Sequence, residues 1–385
     1  MKHTLATFLG ILTIWFISSC NSNQATEKDT KSYKAVVADS VVFKTLPEVE
    51  LLDYNKRSKE LMLLDRQSNE VVIINQQGEE ISRFNPHIEG PNYAGDRTFG
   101  WTFFGEDMVV GYGHFYFHLM TKQGERIKRI PYPVRNKQWA TLDYYPKMIF
   151  SSTAGQEEII VLIPGVENIN TRSQAYQDTV KMVYKVNLNS EEGTPVMHKT
   201  PDGLYRSLGA HTDQGFPSMI AIEKGKVAQI YPSDDKIYMW DTEQDELVTK
   251  LEIPEPHKPV FDQIPFDKKG TPDHLKVNSK IYHTKNQIVL VSLDKVPESA
   301  IDQLSKTVPR WWESEELEQL KKRYFKVNLL LFSEEGFLGE VNTDGLGEYV
   351  FYNGESTNED FFWVQRTYSD ERDYRTFLKV AIVED

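Results

Sequence analysis

Histidines beside carboxylates are the first residues in this chain whose types and spacing could do chemistry. His211 with Asp213, and Asp273 with His274, are each spaced to supply a general base and the group that orients it. His211 and Asp213 fall in a glycine-rich stretch, Leu208-Gly209-Ala210-His211-Thr212-Asp213-Gln214-Gly215, that could reach a binding face. The same stretch also reads as turn chemistry, with Asp213 bonding local amides. With 57 acidic residues, many further carboxylate pairs are open in space. Metal chemistry has less support. The 9 histidines are scattered, and His114 and His118, on one face of an expected strand, stand about 13 Å apart, too far to share an ion. The sequence has no Asp-x-Asp-x-Asp-Gly calcium loop and no Gly-x-Ser-x-Gly elbow. Gly111-Tyr112-Gly113 lacks the helix and lysine of a phosphate loop, and nothing implies a cofactor.

Aromatic side chains are the other candidates. Phe99-Gly100-Trp101-Thr102-Phe103-Phe104 and the stretch from Tyr112 to Phe117 are crowded with rings, as is Trp139 with Tyr144 and Tyr145. Rings with polar tips can stack on a sugar or grip a peptide, and the same rings serve equally well as core. The candidate ligand-binding set is therefore Trp101, Tyr112, His114, His211, Asp213, Trp311 and Trp312.

The N-terminus carries a different chemistry. Lys2 gives a positive start, Leu5 to Ile17 is an apolar run, and Ser18 and Ser19 lead into Cys20, the sole cysteine. The run is shorter than the roughly twenty residues a membrane-spanning helix needs, and the layout is that of a secretory signal. Ile17-Ser18-Ser19-Cys20 resembles the lipobox of bacterial lipoproteins, which implies cleavage before Cys20 and acylation of its thiol. Two or more acyl chains give stable anchoring. The expected division is a signal peptide over 1–19, a polar tether over 20–34 and a folded domain over 35–385. The expected address is the cell envelope, at the outer membrane. With the one thiol acylated, disulfides, cysteine nucleophiles and thiolate metal sites are excluded. A net charge of −13 without a basic stripe argues against nucleic acid.

The elements that must position any site are short strands. Val71-Val72-Ile73-Ile74 leads through Gly78 to Ile81–Phe84, a hairpin in which glycine supplies the positive φ. The figure returns from His118 through Gly124 to Ile130, and from Leu329 through Gly336 to Val341. Looser copies turn at Gly193 and at Asp241–Gln244. Glu89-Gly90-Pro91-Asn92-Tyr93 and Gly345-Leu346-Gly347-Glu348-Tyr349 follow two of the hairpins, and Asp202-Gly203-Leu204-Tyr205 follows a third. Units of forty to fifty residues holding several strands predict an all-β, β-propeller fold of about six blades. The strand at 35–43 pairs with the last strand, at 376–383, to close the ring. A helical insertion near 298–324 interrupts the pattern. There Ser314 caps a helix with Glu315 and Glu316 at its start and Lys321, Lys322 and Arg323 at its end.

Lipobox, tether and hairpins followed by Gly-x-Gly-Glu-Tyr-like turns together resemble the six-bladed, NHL-like propeller lipoproteins of Bacteroidetes. That resemblance implies a fold and an address and transfers no catalytic residue. The function expected is a monomeric, lipid-anchored binding module for a glycan, peptide or envelope protein. The alternative is a carbohydrate-active enzyme, a glycoside hydrolase or lyase, using carboxylates at the propeller mouth.

Overall fold

The computed structural model describes residues 31–113, 115–133, 148–153, 156–163, 173–179, 181–198, 209–211, 218–222, 225–268, 272–346, 354–368 and 370–385. Leu61 to Leu64 and Val71 to Ile74 are apolar at every position because both faces of their sheet are covered. Side chains alternate across a strand, so successive residues serve different neighbours. Leu61, Leu63, Val72 and Ile74 enter one core cluster, while Met62, Leu64, Val71 and Ile73 enter the next.

After β1 (Tyr33–Lys44), the chain lays down antiparallel sheets in sequence order. The first is β2 (Val49–Asn55), β3 (Glu60–Asp65), β4 (Glu70–Ile74) and β5 (Glu80–Phe84). The second is β6 (Thr98–Phe104), β7 (Met108–Gly113), β8 (Tyr116–Thr121) and β9 (Arg126–Pro131). The third is β10 (Met148–Thr153), β11 (Gln156–Leu162), β12 (Lys181–Asn187) and β13 (Gly193–His198), with the short helix α1 (Gln174–Thr179) between its middle strands. Past the short β14 (Ala210–His211) comes the fourth, made of β15 (Ser218–Ala221), β16 (Lys226–Ile230), β17 (Lys236–Asp241) and β18 (Glu246–Glu252). Two short strands follow: β19 (Val260–Phe261) lies against the next sheet, and β20 (Ile264–Pro265) pairs with β14.

The remaining strands form a nine-stranded sheet that divides naturally into two antiparallel runs. The fifth run is β21 (His274–Thr284), β22 (Gln287–Asp294), β23 (Lys326–Ser333) and β24 (Gly336–Asn342). The sixth is β25 (Gly354–Glu355), β26 (Phe362–Gln365) and β27 (Tyr374–Glu384), completed by β1. Among the described residues the ladder joins the two runs at Tyr33↔Val341 and Lys34↔Asn342, as a parallel contact. The expected pairing of the first strand with the last is present from Tyr33↔Glu384 to Lys44↔Tyr374. β1 begins at Tyr33, two residues ahead of the expected boundary.

Each run shares a core with the next. Phe84 and Met62 meet Trp101 and Val109 between the first and second, and Tyr112 meets Ile159 and Tyr184 between the second and third. Leu162 meets Trp240 between the third and fourth, Ile237 meets Leu290 between the fourth and fifth, and Tyr282 meets Phe362 between the fifth and sixth. Trp363 and Phe377 of the sixth then meet Leu51 and Leu61 of the first. The outer strands β5, β9 and β18 expose Ile81, Ile127 and Val248 alongside charged Glu80, Arg83, Arg129 and Glu252, and those charges protect the free edges.

The helical insertion lies between β22 and β23 as expected, as α2 (Glu298–Thr307) and α3 (Glu315–Tyr324). The Ser314 side chain accepts the Leu317 N–H at 3.2 Å, and Leu317 is the buried residue of α3.

Candidate functional site

The innermost strands of the sheets deliver their ends to one cavity of about 240 Å³. Its lining comes from the first, second, third, fourth and sixth runs: Asp53 to Arg57, Thr102, Phe103 and Gly105, Met148 and Ile149, Ile220 and Ala221, and Ser356 to Asn358. Phe103, Met148 and Ile220, buried in the cores between sheets, give the lining its apolar part, and Asp53, Asn55, Lys56, Arg57 and Asn358 its polar part.

The turn after β2 is held from within. Asn55 Oδ1 accepts the N–H groups of Arg57 at 3.0 Å and Ser58 at 3.2 Å. Its Nδ2 donates to the Gly105 carbonyl at 2.8 Å, which ties the first sheet to the second. Lys59 closes the turn at φ 58°, with its N–H on the Asn55 carbonyl at 2.8 Å. Lys56 and Arg57 therefore project from a fixed backbone, and both are exposed. Lys56 Nζ donates to the Asn358 carbonyl at 3.4 Å. Asn358 is itself at φ 54°, and its Oδ1 meets Nδ1 of His283.

The acids nearby are committed. Asp53 Oδ2 accepts the Thr102 hydroxyl at 2.6 Å and the Phe103 N–H at 2.7 Å. Glu359, beside the rim, pairs with Lys59 at 2.5 Å and accepts the Tyr54 hydroxyl at 3.3 Å. Burial and then the Glu359 charge push the Tyr54 hydroxyl well above its ordinary range, so it stays a donor.

The sequence-derived candidates lie elsewhere. Trp101 is 4% exposed, its ring edge-on to Phe84 at 5.4 Å and its Nε1 donating to Thr98 at 3.1 Å. Gly111 opposite leaves the space the ring fills, since a Cβ there would sit 2.5 Å from it. Tyr112 is 2% exposed, stacks on Phe117 at 5.3 Å and donates to the Leu162 carbonyl at 2.9 Å. Both rings are core between sheets, not stacking surfaces for a ligand. Trp311 and Trp312 lie in the single turn between α2 and α3, edge to face at 6.1 Å, and Trp312 is 58% exposed. His211 pairs through its backbone with Ile264 on β20. Cys20, His114, Asp213, Trp139, Tyr144, Tyr145 and the turn at Asp202–Tyr205 lie outside the described residues. Of the other pair, His274 Nδ1 meets the Ser233 hydroxyl at 3.3 Å, whereas Asp273 accepts the Glu298 N–H at 3.2 Å. Among the described residues, no group of three or more His, Cys, Asp or Glu is placed to hold a metal ion, and no helix is long and apolar enough to cross a membrane.

A member of the DUF4221 family from Bacteroides vulgatus superposes with a TM-score of 0.62 at 10% identity, covering 92% of this chain and 100% of that one. A chain of the mitotic checkpoint complex gives 0.40 at 8% identity, covering 93% of each chain. The β-propeller domain of Cps50 (Swd1) from Myceliophteria thermophila gives 0.41 at 7% identity, over 86% of this chain and 83% of that one. No protein-family model matches the sequence, and no curated protein matches it. The first likeness defines the class at the level of fold alone, an all-β chain of many sheets with few helices.

Proposed function

We propose that this chain is a six-bladed β-propeller lipoprotein of the cell envelope, acting as a binding module with its ligand site at the central mouth. Blade count is supported by the six four-stranded runs, each sharing a core with the next and the sixth with the first. The Bacteroides likeness over nearly the whole chain supports the same fold. Anchoring through Cys20 at the outer membrane rests on the layout of the first twenty residues.

One observation carries the binding reading. Turns from separate sheets bring Lys56, Arg57 and Asn358 to a single cavity, beside Asn55 and Thr102, which hold its lining in place. Rigid elements aiming convergent polar groups into a cavity are what a small-molecule site requires. Glycoside hydrolysis needs a pair of carboxylates about 5 to 10 Å apart. Among the described lining residues the carboxylate is Asp53, and its Oδ2 already accepts two hydrogen bonds. That arrangement favours binding over hydrolysis.

Thermal unfolding of the full chain in detergent, with sugars, peptides and divalent ions with and without chelator, tests the reading. A ligand at a hundred times its Kd adds about 2.7 kcal/mol. Such a shift that disappears in an Ala221→Trp variant, whose ligand-free unfolding temperature matches the parent's, supports the site, and a shift that survives it removes the mouth from consideration. The anchor is tested separately: Cys20→Ser is expected to move the protein from the membrane to the soluble fraction.

A further inference from the structure

We infer that the mouth receives a small ligand bearing one anionic group, a carboxylate or a phosphate, and that Arg57 and Lys56 recognise it. The inference rests on the mouth being the binding site and adds the chemical class of its occupant.

Arg57 lines the cavity with its side chain exposed, and its guanidinium forms no hydrogen bond or ion pair with a described residue. Lys56 has only the neutral carbonyl of Asn358, at 3.4 Å. Among the described lining residues two cations thus stand against one carboxylate, and Asp53 Oδ2 is occupied by Thr102 and Phe103. Guanidinium and ammonium groups with open donor positions recognise carboxylate and phosphate oxygens through charge-assisted bonds. Asn55 fixes the backbone that carries both cations, so only their side chains remain to be ordered when an anion arrives.

The periphery argues for a small ligand. In antiparallel runs, the turn between the first two strands and the turn between the last two lie at the same end. The outer turns at that end expose Glu79, Glu191, Glu243 and Glu334, of which Glu191 pairs with Lys128 at 3.0 Å and Glu334 with Lys226 at 3.4 Å. A cationic centre within an acidic border, on a chain of net charge −13, repels an extended polyanion while accepting one charged group at the middle. A cavity of about 240 Å³ matches a single sugar acid or an inorganic anion better than a polymer.

Calorimetry on the full chain in detergent tests this with D-galacturonate, inorganic phosphate, neutral galactose and polygalacturonate. Galacturonate or phosphate is expected to bind, more weakly as salt is raised, while galactose and the polymer do not. Arg57→Gln is expected to weaken that binding about tenfold without moving the unfolding temperature. Which monomeric anion binds distinguishes the carboxylate from the phosphate source. Equal binding of galactose, unchanged anion affinity in Arg57→Gln, or silence from both anions overturns the inference. If galactose binds and Ala221→Trp abolishes it, the anion class is wrong but the mouth remains the site. Binding of any probe that survives Ala221→Trp overturns the mouth itself.

Discussion

The mouth and the groove at the seam between the sixth run and the first both combine arginine, carboxylate and aromatic side chains, yet they differ in character. The groove is the larger, about 640 Å³, between Leu46–Glu50 and Gln365–Arg375. Two of its three lining arginines are engaged, Arg66 pairing with Glu50 at 2.7 Å and Arg375 donating to the carbonyls of Arg372, Tyr374 and Leu46, while Arg366 lies over the Tyr368 ring at 5.4 Å. At the smaller cavity of the mouth, Arg57 has no hydrogen bond or ion pair from its guanidinium to a described residue, and Lys56 has one neutral partner. Volume alone therefore does not separate the two. On the proposed reading the site is marked by two cations carried on a turn held from within, while the paired groups of the seam serve the fold.

That contrast can be broken or sharpened by measurement, and the largest effect belongs to a seam carboxylate. Asp234 is fully buried near the junction of the fourth and fifth runs, and accepts the Tyr238 hydroxyl at 3.0 Å. Burial pushes its carboxyl up to about 7. Between about pH 4 and about pH 7 the folded chain keeps a proton that the unfolded chain has released. Its contribution to stability is then fully present in acid and is lost as pH rises through that window, on the order of 4 kcal/mol. His118 acts with the opposite sign. Burial, then the charges of Arg129 and Arg126, hold its imidazole down at about 4, so stability is lost as pH falls from about 6.5 toward that value. Denaturant titrations from pH 4 to 7 should show acid weakening in Asp234→Asn and acid strengthening in His118→Gln, with the parent between them. Coincident curves for all three would remove both groups from the balance.

Next is Gln365, at the closing seam beside the groove. Its amide donates to the Val49 carbonyl at 2.6 Å and accepts the Leu51 N–H at 3.1 Å, both buried. Gln365→Ala strands two backbone groups and is expected to cost about 3 kcal/mol, read as a lower denaturant midpoint, with ligand affinity unchanged. Asp53→Ala, at the mouth, should cost less, about 1 to 2 kcal/mol, because the Thr102 hydroxyl can turn to another acceptor while the Phe103 N–H cannot. Smallest of all on stability is Arg57→Gln, within about 0.5 kcal/mol, although its effect on anion binding is expected to be the greatest. A stability loss at Arg57 comparable to that at Gln365 would erase the distinction between the two regions.

Much of the scaffold could be read before any coordinates. Hairpins turning at Gly78, Gly124 and Gly336 announced the outer strand pairs, and Gly78 and Gly124 do take positive φ, 77° and 82°. The Ser314 cap and the charge order of α3 marked its ends. The mouth was not legible, because its turn carries no glycine. Asn55-Lys56-Arg57-Ser58-Lys59-Glu60, Asp65-Arg66-Gln67-Ser68-Asn69-Glu70, Asn187-Leu188-Asn189-Ser190-Glu191-Glu192 and Asp241-Thr242-Glu243-Gln244-Asp245-Glu246 share one pattern: Asn or Asp first, Ser or Gln fourth and Glu sixth. In each, the first side chain accepts the N–H groups two and three residues on, and the fifth residue takes φ between 52° and 64°. A search for that pattern would have found the turn after β2 and, with it, Lys56 and Arg57. The aromatics misled for a related reason. When both faces of a sheet are covered, ring spacing along a strand does not say whether Trp101 or Tyr112 faces a neighbour or a ligand.

The pairing of β1 with β27 also has a mechanical side. A pull on the segment ahead of Tyr33 runs along β1, parallel to the strand and across hydrogen bonds that lie perpendicular to it. The register from Tyr33 to Lys44 is then strained in shear, with its bonds sharing the force instead of peeling one after another. β1 continues directly into β2, whose Leu51 N–H and Val49 carbonyl are stitched to Gln365, so the force spreads into two neighbouring sheets. A chain held by that end under flow or tension would meet its resistance at the strand that completes the sixth run.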